Sequence, residues 1–456
     1  MGLAPNEIEI RRILNKPINY LMIYLFGLLV LYKWGPMTWN TQNSILLYTY
    51  LIMSNLLIFL GYKSTINKIV KFNGNEKASN YYILDEKFVL KIIPFVVIIK
   101  LIISFLFLIR VIGSTAISLD YIMTSFINGL VDAGSQYNSK FANENAFGGN
   151  VLAPIYTLLS PITWPVIPLT IIYFKKLSMV NKLLASLIIV LEIVTWVSIG
   201  TNKGIIDLII IVATVTMLRR WQYKVTHFQE KTIPKKKRVR VILLISIVLI
   251  MGLYLFSNNI SSRINSNFET LSNITNGTGV SYDTPIMKIT PDNIKPLMVY
   301  VSVYLTQGYY GLSLTLDEPF VPMFGLGNSN FLLVNLEQIF NVNLSQYSYQ
   351  SRIAHKGWHS ELNWHSIHTW LANDISFFGV LFLMFFIGKY FANVFYRSLV
   401  LRDPVASILL CLIVSSFFYF SANNQILSTP STFMTFWVMN FLWFIKRLNK
   451  NNFSNK

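Results

Sequence analysis

FVLKIIPFVVIIKLIISFLFLIRVIG, residues 88–113, decides the fold class of this chain. Lys91, Lys100 and Arg110 are its only charged residues, and it exceeds the roughly 20 residues needed to cross a hydrocarbon core about 30 Å thick. A backbone inside lipid must satisfy its own polar groups, so such a stretch is helical, and β-branched runs like IIVLEIVTWV (188–197) are no obstacle there. Working outward, the same reading applies at about 17–35, 44–62, 151–173, 182–200, 204–218, 240–257, 375–393, 404–421 and 431–447. The expectation is an all-α, polytopic membrane protein with about ten transmembrane helices.

Composition agrees. Hydrophobic residues make up 53% of the 456-residue chain, charged residues 13%, and the mean hydropathy is +0.49, a balance that excludes an ordinary soluble domain. The single cysteine, Cys411, leaves no disulfide framework and no thiolate metal site. A net charge of +18 would point to nucleic acid in a soluble protein. In a membrane protein it points to inner loops, where Lys and Arg accumulate. The first apolar stretch follows Arg11, Arg12 and Lys16 and lacks a small-residue cleavage site, so it reads as a retained anchor.

Charge sets the expected orientation. With the N-terminus inside, successive inner segments carry Lys63, Lys68, Lys71, Lys77 and Lys87, then Lys175, Lys176 and Lys182. Arg219, Arg220 and KTIPKKKRVR (231–240) follow, then Arg397 and Arg402, and finally the tail KRLNKNNFSNK (446–456). The alternation is unbroken, which places both termini in the cytoplasm. The KKKR run is a topology signal that also meets anionic membrane lipid, and no nucleic acid is expected as a partner. Two outer segments are long: 114–150, and 258–374, a large extracytoplasmic loop too long for a simple connection. Within the loop, 295–316 and 320–340 are apolar enough to form a further pair of spans, giving an alternative of twelve. The acidic turn LDEPF between them favours helices at the outer interface. The chain thus divides into seven spans (1–257), the outer loop (258–374) and three spans with a tail (375–456).

Chemistry concentrates in SRIAHKGWHSELNWHSIHTWLAND (351–374), which holds four of the five histidines: His355, His359, His365 and His368. Histidine titrates near neutral pH and moves protons readily. If the segment is helical from Glu361, then Glu361, His365, His368 and Ala372 share one face. The carboxylate would then orient an imidazole as general base, with Asp374 in support. Arg352 and Lys356 within the stretch, Arg263 after the seventh span and Lys203 in GTNKG (200–204) are candidate cations for phosphate oxygens. Lys203 could equally pair with Asp207, four residues on. Glu192, in mid-span, is either a functional carboxylate or the partner of a neighbouring helix. Zinc sharing by His355 and His359 is the competing reading, but neither HExxH nor DxD is present, so no metal and no cofactor is expected. Tyr300, Tyr304, Tyr309, Tyr310, Trp358, Trp364 and Trp370 could stack on sugar faces or form an interfacial belt.

With its many spans, its late outer loop and HTWLANDISFFGVLF (368–382), the chain resembles the bacterial O-antigen or oligosaccharide repeat unit polymerases and the related O-antigen ligases. His368-Thr369 followed by Gly379 fits that family's spacing of His, a polar residue, nine residues and Gly, with Thr369 where Asn, Ser or Gln is more usual. GTNKG is similar to the family's basic turn between two spans, with Lys203 where Arg is commoner, and YLTQGYYGLSL (304–314) to its outer-loop sequence. The resemblance implies a multi-pass protein of the bacterial cytoplasmic membrane. It would join undecaprenyl-diphosphate-linked oligosaccharide repeats, with a flippase and a chain-length regulator as protein partners. His368, then His365, would be the base, and Arg352, Lys203, Arg263 and Lys356 the diphosphate ligands. A lipid-oligosaccharide flippase, or a ligase sharing the chemistry, is the alternative.

Overall fold

The computed structural model describes residues 5–72, 86–113, 118–146, 149–226, 252–260, 262, 275 and 277–453. Among them the fold is helical, with no strand and one isolated bridge between Met37 and Val280. The helices of eight or more residues that carry the argument are α1 (Pro5–Trp34), α2 (Ser44–Phe72), α3 (Glu86–Ile112), α4 (Leu119–Val131), α5 (Ala133–Ala146), α6 (Gly149–Thr163) and α7 (Val166–Tyr173). They continue with α8 (Met179–Ser198), α9 (Lys203–Thr226), α10 (Lys295–Thr315), α11 (Asn330–Phe340), α12 (Ile367–Leu399), α13 (Pro404–Phe418) and α14 (Pro430–Phe453).

Among the described residues six stretches are long and apolar enough to cross a membrane: Glu9–Trp34, Ser44–Val70, Glu86–Ile112, Leu152–Lys176, Met179–Ser198 and Ile367–Leu399. Six of the ten expected stretches fall on these. Three others fall on α9, on the shorter apolar α13 and on α14. Most of 240–257 lies outside the described residues.

The chain groups into two compact units, 1–83 with 271–456, and 84–270. The contacts thus join the first two helices to the end of the chain, whereas a division at 257 and 374 follows topology along it. In the first unit, α2 and α12 pack most extensively. They touch backbone to backbone: a Cβ on Gly61 would lie 1.9 Å from Phe385 O, and one on Gly388 would lie 2.1 Å from Ile58 O. Small residues at such crossings are how helices associate where lipid removes the hydrophobic drive. The two expected interfacial segments differ from one another. In α10 every residue from Thr306 to Thr315 is buried, so it is an internal helix of this unit, not a surface one. In α11 the 11 residues rise only about 16 Å, too short to cross.

In the second unit α3 packs on α8. Lys100 Nζ lies 2.6 Å from Glu192 Oε1, which also accepts from Ser104 Oγ at 3.2 Å, while Trp196 Nε1 donates to Oε2 at 3.2 Å. The segment 114–150, expected as a long loop, holds helices among its described residues. They include α4, capped by Ser118 Oγ accepting from Tyr121 N, and α5.

Candidate functional site

The histidine-tryptophan stretch folds over the start of α12, and the structure corrects its expected helical register. Residues 357–366 form turns and α12 begins only at Ile367. One isolated turn closes at His359–Asn363, and the backbone groups around it are committed to side chains instead of continuing a helix. Asn363 N donates to His359 O at 2.8 Å, and His359 N donates to Asn363 Oδ1 at 2.8 Å. Trp358 Nε1 donates to Trp364 O at 3.2 Å, and Trp364 N to Gln307 Oε1 of α10 at 3.2 Å. Trp358 is fully buried and anchors the loop. Glu361 is therefore exposed while His365 is 1% exposed, and the carboxylate-oriented imidazole read from a shared helix face is not formed. Burial pushes the His365 imidazole down from its ordinary value to about 3, so it is neutral at physiological pH. Both of its ring nitrogens are buried without a hydrogen-bond partner.

His368 stands in the first turn of α12 at 0% exposure. Its Nε2 is 2.9 Å from Ser54 Oγ of α2, and its ring meets Tyr50 and Phe420 edge-on at 5.7 and 4.9 Å. Its Nδ1 is buried and unpartnered. The N-cap residue Ser366 fixes the turn through its backbone, donating to Gly308 O at 3.3 Å, while Ile367 N donates to Phe420 O at 3.1 Å. His355 and His359 are exposed. The cluster of four is therefore two buried rings and two surface rings.

The cations are placed differently from one another. Arg352 lies in a one-turn helix, Tyr349–Arg352, with its guanidinium 4.7 Å over the Tyr349 ring and Nε donating to Tyr347 O at 3.2 Å. Lys356 is tied to Glu318 at 2.6 Å and donates to Leu314 O at 2.8 Å. Lys203, in the second unit, pairs with Asp207 at 3.0 Å, the alternative that the spacing left open. Arg263 lies outside the described residues.

Asn373, which the sequence did not single out, organises the loop. Its Oδ1 accepts from Tyr349 N at 2.9 Å, and its Nδ2 donates to Gly327 O at 2.8 Å and to Gln350 Oε1 at 2.9 Å. Asp374 accepts from Gly325 N at 2.8 Å, Gly327 N at 3.0 Å and Asn328 Nδ2 at 2.8 Å. Both of its oxygens are thus spent on holding the 325–328 turn. The only signal that could have found Asn373 is its position beside Asp374, one helical turn after Thr369.

Two residues later α12 breaks: Ser376 has φ 62 and ψ 165. The break leaves Asn373 O free to accept from Met323 N at 3.0 Å, and Ser376 Oγ accepts from Gly379 N at 3.3 Å. The His368 to Gly379 spacing therefore spans the break, with the histidine on the first half of the helix and the glycine in the first turn of the second. Among the described residues no group of three or more His, Cys, Asp or Glu side chains is placed to hold a metal ion. Compared with known proteins, the chain matches no family model, no curated protein and no solved structure.

Proposed function

We propose that this protein is a membrane glycosyltransferase that polymerises lipid-diphosphate-linked oligosaccharide repeats. The observation that carries the reading is the state of His368, buried at the head of a membrane-crossing helix, with one ring nitrogen engaged by Ser54 and the other unpartnered. If Nε2–H donates to Ser54 Oγ, Nδ1 holds the lone pair of a general base kept away from bulk water. The base removes the proton from the acceptor hydroxyl as that oxygen attacks the anomeric carbon of the donor. The bond from that carbon to the diphosphate oxygen breaks, and the diphosphate leaves with the electron pair. Charge growing on it calls for a cation. Arg352 is favoured, because Lys356 and Lys203 already face carboxylates. His365, neutral and buried, suits lining the site better than neutralising phosphate.

The rival reading, a flippase, would use Lys100, Glu192, Lys203 and Asp207 along a path. Their pairing into Lys100–Glu192 and Lys203–Asp207 favours an internal structural role. The resemblance around His368 and Gly379 supports the polymerase over it and leaves the ligase as the nearer relative. The test is purified protein with a lipid-linked repeat. We expect His368→Ala to lose roughly 10²–10⁴-fold in chain extension, with expression and membrane insertion retained. Full extension by His368→Ala would overturn its role as base.

A further inference from the structure

Phe324 is a bulky residue in the left-handed backbone region, φ 54, followed by Gly325 at φ 91. Its ring is 87% exposed. Left-handed backbone is unfavourable for a residue with a Cβ, and an exposed ring returns nothing for that strain in water. Yet the conformation is held firmly. Asn373 O and the Asp374 carboxylate clamp 323–328 from beneath through Met323 N, Gly325 N, Gly327 N and Asn328 Nδ2. A strained residue that its surroundings over-determine marks a functional surface.

A cleft of ≈370 Å³ opens beside this ring. Its polar end is Asn328 and Asp374, and its apolar wall is Phe324, Leu371, Ile375 and Leu383. Below the break at Ser376, the second half of α12 rises about 9 Å from Phe377 to Leu383, a little over half the depth of one leaflet of the roughly 30 Å hydrocarbon core. The cleft is continuous with an exposed apolar stripe on α12, formed by Ile375 (41%), Phe378 (70%), Phe382 (58%) and Phe386 (58%), on a helix apolar enough to cross a membrane. The polar end marks the headgroup level, with Leu371 beside it in the same turn of α12, and Ile375 and Leu383 run inward from it.

We propose that this cleft binds one acyl chain of a bilayer phospholipid, with the Phe324 ring closing over the chain at the headgroup level. The site is a lipid-binding groove on α12, and it stands independently of the glycosyl-transfer reading because neither the cleft nor its labelling involves catalysis.

The experiment reconstitutes the whole chain in phosphatidylcholine bilayers that include a phosphatidylcholine with a diazirine in its acyl chain. After irradiation, labelled positions are mapped by mass spectrometry. Label is expected to concentrate at Phe324, Leu371 and Leu383, above the level at Phe95 and Ile102 of α3, whose side chains are 69% and 54% exposed. Leu383→Trp fills the cleft and should bring the groove label down to the α3 level without changing the label on α3. Phe324→Gly removes the closing ring and relieves the strained backbone, so it keeps the test open if Leu383→Trp fails to fold. It should lose groove label at undiminished thermal stability. Equal labelling of the groove and α3 in the wild type, or groove label unchanged in a folded Leu383→Trp or Phe324→Gly protein, overturns the proposal.

Discussion

At the residue scale, the buried charged and titratable groups make opposite demands on solvent. The Lys100–Glu192 pair has 7% and 19% side-chain exposure, and removing one member strands the other. Glu192→Ala should cost about 3–5 kcal/mol, whereas Lys100→Met with Glu192→Leu should recover most of it, read as thermal stability of the solubilised protein. A double variant no more stable than the single would show that the pair is not the reason for either residue. His365 gives a pH dependence with a defined sign. Its unfolded imidazole titrates at its ordinary 6.5 and the buried one at about 3, so between those values the unfolded chain binds the extra proton. Its contribution to stability is complete above 6.5 and is lost as pH falls toward 3. The thermal midpoint should drop on acidification, and His365→Gln should shrink that drop. The residue types at these positions were legible in the sequence; the partners were not. Lys203 and Asp207 could be paired from their i, i+4 spacing, but nothing in the order of residues joins Lys100 to Glu192 or His368 to Ser54, each pair coming from helices distant in the chain.

At the element scale, α12 is the decisive helix. Its apolar run was readable, whereas its break was not, because Ser376 is neither proline nor glycine and ISFF carries no helix-stop signal. At the break Asn373 O accepts from Met323 N instead of continuing the ladder, while the Asn373 and Asp374 side chains bond to Tyr349 and the 325–328 turn. At φ 62 and ψ 165 glycine is at ease and a β-branched residue is not. Ser376→Gly should therefore match or exceed wild-type stability, and Ser376→Val should lose about 1–3 kcal/mol. Greater stability of the valine variant would mean that the break is not a fixed part of the native fold. The second half of α12 rests on α2 through Gly388 and Gly61, so Gly388→Leu should disrupt that crossing, scored by loss of monodisperse protein after solubilisation. Similarly, α11 and α4 end where Asn341 turns left-handed and where Asp132 leaves helical geometry, signals that are local but weak.

At the scale of the whole molecule, the alternation of basic segments predicts which loops face which side. A reporter fused after Lys140 or within 340–370 should read as outside, and one within 221–238 as inside. An inside signal from the histidine stretch would remove the basis for chemistry on the outer face. The two-unit grouping adds a second expectation: α1 and α2 complete the C-terminal unit, α2 packing on α12. Co-expression of 1–83 with 271–456 should then yield a complex that co-purifies, and failure of the two pieces to associate would count against that grouping.

Hydropathy and charge are sums over neighbouring residues, so the sequence by itself determined the helical class, the positions of the long apolar stretches and the stretch where histidines are concentrated. The His368 to Gly379 spacing was likewise visible as a pattern. Only the tertiary structure decided that His365 and His368 are buried while His355 and His359 are exposed, that Lys356 is held by Glu318, and that Asn373 and Asp374 clamp the 323–328 turn and Tyr349 onto α12. Each of these depends on side chains from separate elements meeting at hydrogen-bond distance. Such meetings are set by helix packing and by the need to satisfy buried polar groups, and no local property of the chain encodes them.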